Sequence, residues 1–140
     1  MPVHRIRLLG PWEFVWEGPI GGKASHVTEG TTAMPCDWNS LFGPVVGTAT
    51  FRRRFHRPSN LEPHEQVWLI CTGVRGSGSI SLNDELLSVF SSHGESVECE
   101  VTSRLQAFNI ASIQLSVGSI EEPQRPGGLF EPVVLEIRSE

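Results

Sequence analysis

The chain has 140 residues, 39% of them hydrophobic, and a formal net charge of −5 at pH 7. This length predicts a single domain over residues 1–140, which can bury a core without a metal or a disulfide. Apolar runs no longer than a strand argue against a membrane partner. The Arg52-Arg53-Arg54 triplet would be divided between the two faces of a strand, which argues against a nucleic-acid partner.

The cysteines and histidines show no disulfide or metal-ligand pattern. Cys36, Cys71 and Cys99 are odd in number and widely spaced, which fits neither a disulfide framework nor a zinc site. We interpret them as reduced thiols in a cytoplasmic protein, and the N-terminal residues lack the apolar segment of a secretory signal. The spacing leaves open whether these thiols have a redox role. No two histidines are two or four residues apart, so we expect no metal and no cofactor.

The first third of the chain contains one strong strand signal. Trp12, Phe14 and Trp16 recur at every second position, which is the period of a strand with one buried face. Three large rings on one face would supply a major share of a core. Shorter strands are predicted at residues 6–9 and 27–34, followed by a long loop at residues 35–44.

The middle of the chain predicts further strands and a tight turn. Residues 47–55 alternate, and Pro58 and Pro63 then indicate a loop. Residues 67–72 are apolar almost throughout, so both faces of that strand should be covered. The glycines at positions 73, 76 and 78 predict a loop or an irregular edge. Residues 79–82 and 85–87 are predicted strands joined by a tight turn at Asn83-Asp84.

The last third again alternates between apolar and polar residues. Residues 97–101 predict a strand with one wet face, and residues 102–108 predict one helical turn capped by Thr102 or Ser103. Residues 111–117 show the clearest alternation, residues 118–128 predict a loop, and residues 133–137 predict the last strand. Eight or so strands separated by turn signals indicate an all-β fold, an antiparallel β-sandwich or jelly roll.

Short motifs spread over nearly the whole chain resemble those of one family in their order and spacing. They are Leu9-Gly10-Pro11-Trp12-Glu13-Phe14, Met34-Pro35-Cys36-Asp37-Trp38, Gly47, Phe51-Arg52-Arg53-Arg54-Phe55, Leu69, Gly73-Val74, Ile80-Ser81-Leu82-Asn83-Asp84, Leu105, Asn109 and Gly127-Gly128-Leu129-Phe130-Glu131-Pro132-Val133-Val134-Leu135. Together they resemble the N-terminal sugar-binding domain of family-two glycoside hydrolases, which include β-galactosidases, β-glucuronidases and β-mannosidases. The chain departs from that pattern at Asn83-Asp84, where the family has Asn-Gly, and at Phe51, where it has Tyr or Trp.

The resemblance implies a galactose-binding-like jelly roll that is not itself an enzyme. The resembling enzymes carry two catalytic glutamates on a separate barrel domain, and this chain ends at Glu140. Glycoside hydrolysis needs two carboxyl groups, one of them with a raised pKa. The paired acids here lie in turns or on the wet face of a strand, and we expect no catalytic residue among them. These pairs are Asp84 with Glu85, Glu98 with Glu100, and Glu121 with Glu122.

Arg53 is a charged residue on a predicted apolar face. It shares the side of Phe51 and Phe55, and an unpaired charge there would be costly to bury. The structural interpretation is that its guanidinium bonds carbonyls or a carboxylate such as Asp37 or Glu131. The functional alternative is that it reaches a ligand.

Sugar binding requires an aromatic ring to stack on the pyranose and polar groups to hold its hydroxyls. The loop residues able to do this are Trp38, Asn39, Phe42, Arg75, Asn83, Arg125 and Phe130. We expect a ligand site from them at one end of the sandwich. For Trp38 and Phe130 the alternative is that they plug the ends of the sandwich.

Two main hypotheses about function remain open at this point, and a third, a small β-sandwich enzyme on the same scaffold, has no nucleophile–base set in the sequence to support it. In the first, the chain is a non-catalytic carbohydrate-binding module. In the second, it is a structural or protein-interaction module that forms a homo-oligomer or joins a partner protein without any affinity for sugar. Exposed large apolar residues would favour the second hypothesis.

Overall fold

The computed structural model describes residues 3–19, 29–32, 47–117 and 133–139. These residues form ten strands and one 3-10 turn, Thr102–Arg104. The strands are β1 (Val3–Arg7), β2 (Trp12–Pro19), β3 (Glu29–Thr32), β4 (Gly47–His56), β5 (Glu65–Cys71), β6 (Arg75–Leu82), β7 (Glu85–His93), β8 (Val97–Glu100), β9 (Phe108–Val117) and β10 (Val133–Ser139). The all-β prediction is confirmed.

The strands form two antiparallel sheets that pack as a sandwich. One sheet has the order β1-β10-β5-β8, and the other has the order β3-β2-β4-β9-β6-β7. Neighbouring strands are often far apart in sequence, as with β10 beside both β1 and β5. The core lies between the sheets and is built from every second residue of their strands.

The aromatic alternation of β2 forms part of this core, as the sequence predicts. Trp12, Phe14 and Trp16 are all buried, and the Trp12 indole Nε1 donates a hydrogen bond of 2.7 Å to the Leu8 carbonyl. The Phe14 ring lies 6.4 Å from the ring of Phe51 on the adjacent strand β4. These rings join β2 and β4 into one apolar surface.

The glycine prediction in the middle of the chain is wrong for two of its three residues. Gly76 and Gly78 lie inside β6 and not in a loop. A Cβ built on Gly78 would lie 1.8 Å from the backbone oxygen of Gln114 in β9. A side chain is therefore excluded because the two backbones approach too closely, which is one of the uses of glycine within strands.

Three local boundaries also differ from the sequence prediction. The 3-10 turn has Val101 as its N-cap, with no side-chain cap hydrogen bond. The Thr102 hydroxyl instead accepts a hydrogen bond of 2.9 Å from the Val67 backbone N–H. The first strand is shifted to Val3–Arg7, and β7 continues to His93. The predicted loops at residues 35–44 and 118–128 lie outside the described residues.

A network of charged side chains covers the outer face of the four-stranded sheet. The Glu136 side chain is 6% exposed and accepts hydrogen bonds from Arg5 Nε at 2.7 Å and Arg138 Nε at 2.6 Å. Arg138 also contacts Glu98 at 2.9 Å, and its guanidinium lies 4.4 Å from the ring centre of Trp68. The hydrogen bond from Arg138, with the one from Arg5, lowers the pKa of Glu136 even though burial acts in the opposite direction.

Two thiols lie in the core on neighbouring strands of this sheet. Cys71 on β5 and Cys99 on β8 are free and buried. Burial and the neighbouring Cys99 raise the pKa of Cys71 to about 12. Burial also raises the pKa of Cys99, against a hydrogen bond from Ser88. The third cysteine, Cys36, lies outside the described residues.

Candidate functional site

A cavity of about 650 Å3 lies at one end of the six-stranded sheet. The described residues around it come from the end of β4, the turn between β6 and β7, and the start of β9. They are Arg54, Phe55, His56, Asn83, Asp84, Gln106, Phe108, Asn109 and Ile110.

Strand register brings the residues from β4 and β9 together. Arg54 pairs with Ile110, and His56 pairs with Phe108. All four side chains are exposed, whereas the alternating residues, such as Phe55 and Asn109, are buried. The period of two along each strand therefore places Arg54, His56, Phe108 and Ile110 on the outer face of the sheet.

The turn at Asn83-Asp84 forms the opposite side of the cavity. Its two residues have φ angles of 52° and 67°, and Leu82 pairs directly with Glu85. This is the geometry of a two-residue primed hairpin turn, which Asn and Asp tolerate better than other residues with a Cβ. The predicted tight turn is confirmed.

A buried amide network holds this turn against β9. Asn109 is 1% exposed, and its Oδ1 accepts from the Gln106 backbone N–H at 2.8 Å and from Asn83 Nδ2 at 3.0 Å. Its Nδ2 donates to the Gln106 carbonyl at 2.8 Å. Asn83 Oδ1 in turn accepts from the Ile110 backbone N–H at 2.8 Å. The floor of the cavity is therefore preorganised by hydrogen bonds that need no ligand.

Phe108 is an exposed aromatic ring on the outer face beside the cavity. The residue is 72% exposed, and the neighbouring Ile110 is 39% exposed. The His56 ring contacts Phe108 edge-on, with 4.9 Å between ring centres and 61° between planes. This contact orients one edge of the Phe108 ring and leaves most of its surface free for a ligand.

The structure separates the two sequence-predicted site residues that it describes. Arg75 begins β6, and Asn83 follows its end. At ~3.3 Å per residue they are roughly 26 Å apart, so they do not share one site. Asn83 lines the cavity and Arg75 does not. The other candidates, namely Trp38, Asn39, Phe42, Arg125 and Phe130, lie outside the described residues.

Of the described residues that line the cavity, Asn83 was predicted from the sequence and the others, including the exposed ring of Phe108, were not. The predicted helical turn over residues 102–108 included it, but the turn ends at Arg104 and β9 begins at Phe108. A signal was present in the sequence. Ala111, Ile113 and Leu115 mark the inward positions of this strand, so extending the alternation backwards places Ile110 and Phe108 outward.

Arg53 lies on the inward-facing side of β4, the side of Phe51 and Phe55. Its Nη1 donates to the Arg54 carbonyl at 2.6 Å, which agrees with the structural interpretation of a bond to a carbonyl. Its Nε is buried without a hydrogen-bond partner among the described residues. Burial lowers the pKa of this guanidinium. The carboxylates suggested from the sequence, Asp37 and Glu131, lie outside the described residues.

The described members of the acidic pairs singled out from the sequence are exposed. Glu98 and Glu100 lie on the wet face of β8, as predicted, while Asp84 and Glu85 flank the turn. No group of three or more His, Cys, Asp or Glu side chains in the described ranges is placed to hold a metal ion. The same part of the chain contains no helix long and apolar enough to cross a membrane.

Neither a protein-family model nor a curated protein matches the chain. Solved structures do match its fold. The β-glucuronidase of Bifidobacterium dentium, complexed with coumarin-3-O-glucuronide, aligns with a TM-score of 0.75 and 18% identity over 98% of this chain and 30% of its own. An FMN-binding β-glucuronidase of Faecalibacterium prausnitzii aligns with a TM-score of 0.76 and 17% identity over 98% of this chain and 23% of its own.

A third similar structure comes from another group of glycosidases. A protein assigned as a β-galactosidase from Bacteroides fragilis aligns with a TM-score of 0.73 and 18% identity, over 99% of this chain and 24% of its own. A β-glucuronidase from glycoside hydrolase family 2 also matches, with a TM-score of 0.75.

The chain has the fold of a domain of family-two glycoside hydrolases. The resemblance inferred from the sequence motifs is thus confirmed at the level of the fold. The chain spans between 18% and 32% of the length of eight such similar structures. It is a glycoside-hydrolase-like β-sandwich module.

Proposed function

We propose that this module is a non-catalytic carbohydrate-recognition domain that holds one sugar ring against Phe108. The observation that carries the proposal is an aromatic ring, 72% exposed, beside a cavity lined by Arg54, Asn83, Asp84 and Gln106. A pyranose presents C–H groups on its face and hydroxyls around its rim. It therefore suits an apolar platform that is surrounded by hydrogen-bonding groups.

The composition of the cavity supports binding without hydrolysis. Hydrolysis of a glycoside requires a pair of carboxyl groups across the scissile bond. Among the described residues that line the cavity, Asp84 is the single carboxylate. The fold shared with glycosidases agrees with a role in carbohydrate recognition. Because fold alone does not assign function, the proposal rests on the residues of the cavity.

Calorimetric titration with a panel of methyl galactosides, glucosides and mannosides tests this proposal. We expect weak but saturable binding that is lost in Phe108→Ala. Val89→Ala is the matched control, because Val89 is 74% exposed on β7 and does not line the cavity. Both variants should unfold within about 0.5 kcal/mol of the parent, as exposed substitutions usually do. If the folded protein gives only heats of dilution with every sugar of the panel, the proposal is wrong.

A second function is favoured by the exposed apolar residues. Six large apolar residues in the described ranges are exposed, and five of these lie on the outer face of the six-stranded sheet: Val15, Leu86, Val89, Phe108 and Ile110. Such a distribution suits a face that pairs with a second copy of the chain. This is the alternative of a structural or protein-interaction module.

Sedimentation velocity at protein concentrations from about 1 to roughly 100 micromolar distinguishes the two functions, because the fraction of a dimer rises with protein concentration. A dimer that dissociates in the double variant Leu86→Ser, Val89→Thr would support the interaction module. A strict monomer at every concentration would eliminate self-association through this face. Leu86 and Val89 are not among the residues that line the cavity, so the double variant leaves the sugar site itself unchanged.

A further inference from the structure

We propose that β7 is an interface between two copies of the chain, whose β7 strands pair antiparallel about a two-fold axis at Val89. The pairing joins two six-stranded sheets into one continuous sheet. This inference rests on the interaction function proposed above, for which it names the partner and the mode of contact, and it does not depend on sugar binding.

β7 is an edge strand with one hydrogen-bonded neighbour. It lies at the end of the order β3-β2-β4-β9-β6-β7 and pairs with β6. Its other side therefore presents backbone N–H and C=O groups that have no strand partner in the described ranges. β8 of the other sheet approaches the inner side of β7, where Ser88 hydrogen-bonds Cys99. Val89 points to the outer face and is 74% exposed, so this part of the edge is accessible.

The other edge strands of the two sheets carry features that prevent pairing with another chain. β3 and β8 have four residues each, and β8 includes Glu98 and Glu100. β1 has five residues, with Arg5 and Arg7 among them. Short length and charged side chains both protect an edge. β7 has nine residues, and residues 86–92 contain no charged residue, no proline and no glycine.

One protective feature of edge strands, a bulge, does occur near the start of β7. Ser81 pairs with Leu86 and Ile80 with Ser88, so Leu87 has no residue opposite it on β6. From Ser88 onwards the pairing with β6 is regular up to the end of the strand. The regular part of the edge, which includes Val89, is therefore suited to accept a further strand.

The distribution of charge favours a second copy of the chain as that strand. Two copies of one strand, paired about a two-fold axis, bring equivalent residues close together near the axis, and like charges directly opposite each other are destabilising. Self-pairing of β8 would bring acidic residues together, and self-pairing of β1 would bring arginines together. β7 has no charged residue within three positions of Val89. In the proposed register Glu85 lies opposite position 93, a histidine, and not opposite a second Glu85.

Val89 is the residue best suited to the axis. In antiparallel pairing about a two-fold axis, one residue lies opposite its own copy, and Val89 is the midpoint of Glu85–His93. It is also the most exposed large apolar residue in the described ranges. Contact between the two Val89 side chains removes this apolar surface from water, which favours association.

Cysteine cross-linking tests the register. Val89→Cys would place two thiols opposite each other with Cα atoms about 4.5–5.5 Å apart, a separation that a disulfide spans. Ser79→Cys is the matched control. Ser79 lies opposite Val89 on β6, so its two copies would be three strand spacings apart, or about 14 Å. With oxidised glutathione and about 100 micromolar protein, Val89→Cys should give at least about fivefold more disulfide-linked dimer than Ser79→Cys or the parent.

An exchange of charge tests the same contact without a covalent bond. Val89→Lys and Val89→Glu should each sediment as a monomer, because like charges would lie opposite each other at the axis. An equimolar mixture of the two variants should restore the dimer. Val89 is exposed, so both variants should fold, and urea denaturation of each checks this.

The outcomes separate this inference from the function on which it rests. A parent dimer that cross-links no better through position 89 than through position 79, or a mixture of the charged variants that stays monomeric, would overturn pairing through β7 and leave the interaction function standing. A parent that remains monomeric at every concentration, with no cross-linking of Val89→Cys above that of the parent, would overturn both.

Discussion

Asn83 Nδ2 donates a hydrogen bond of 3.0 Å to Oδ1 of Asn109, which lies 26 residues further along the chain. This bond joins the β6–β7 turn to the start of β9. The same Asn109 side chain holds the backbone of Gln106 on its other side. One buried amide therefore positions two of the three segments that surround the cavity.

Replacement of this amide should destabilise the protein. Asn109→Ala removes three part-buried hydrogen bonds, so we expect the free energy of unfolding to fall by about 1–3 kcal/mol. Urea denaturation measures this change. Gln106→Ala is the control, because Asn109 contacts only the backbone of Gln106, and it should change stability by less than about 0.5 kcal/mol. Equal effects of the two substitutions would contradict the role assigned to Asn109.

Gly78 should not tolerate a side chain. Its Cβ would lie 1.8 Å from the Gln114 oxygen and 2.8 Å from the Gln114 carbonyl carbon, and both are backbone atoms that cannot rotate away. Gly78→Ala must therefore separate β6 from β9, at a cost of about 1–3 kcal/mol or more. Thermal denaturation checks this, with Ser79→Ala at the next, half-buried position as the control. A Gly78→Ala protein as stable as the control would show that the strands separate without cost.

Stability should decrease at alkaline pH because of the buried thiols. The pKa of Cys71 is raised from 9.0 to about 12, so between these values the folded protein retains a proton that the unfolded chain releases. The folded state then binds more protons, and its stability falls as the pH rises. The limiting slope for one such thiol is about 1.4 kcal/mol per pH unit.

The composition makes this effect measurable. The chain has no tyrosine and a single lysine, Lys23, so few other groups titrate in the same range. Urea denaturation from pH 8.5 to 11 should show a shallower decline in Cys71→Ala than in the parent. If the unfolding free energies of the parent and Cys71→Ala fell with pH at the same slope, Cys71 would not be the cause of the decline.

Glu136 should contribute stability that is lost at acid pH. The hydrogen bond from Arg138 lowers the pKa of Glu136 below 4.5. Its contribution is therefore fully present above about pH 4.5 and disappears as the pH falls through the lowered value. Glu136→Gln should lower the unfolding free energy at pH 7 by about 1.5–3 kcal/mol, the range for hydrogen bonds to charged groups.

The matched control for Glu136 is its neighbour in the same network. Glu98 also bonds Arg138, but the two side chains are 41% and 31% exposed, so Glu98→Gln should cost less than about 1 kcal/mol. The difference in unfolding free energy between Glu136→Gln and Glu98→Gln, measured by urea denaturation, should be smaller at pH 3 than at pH 7. A constant difference from pH 7 to pH 3 would contradict the assigned titration.

Local patterns predicted the inward residues well. Trp12, Phe14 and Trp16 are buried as their spacing indicates, and Asn83-Asp84 forms the expected turn. The errors arose where a local preference competed with a distant strand. Gly76 and Gly78 read as loop residues because glycine is common in loops, yet β9 passes so close to them that β6 accommodates no side chain there. Thr102 was expected to cap a turn, but its hydroxyl bonds Val67 of β5.

The order of apolar and polar residues was enough to establish two layers with an aromatic core, since each strand's buried face depends on its own alternation of side chains. The same order could not show that Phe108 meets His56, or that Arg75 and Asn83 lie at opposite ends of one strand. Those relationships depend on which strands pair and in which register. Pairing of β4 with β9 joins residues that are between 52 positions (His56 with Phe108) and 70 positions (Gly47 with Val117) apart, and many alternative pairings satisfy the same period of two.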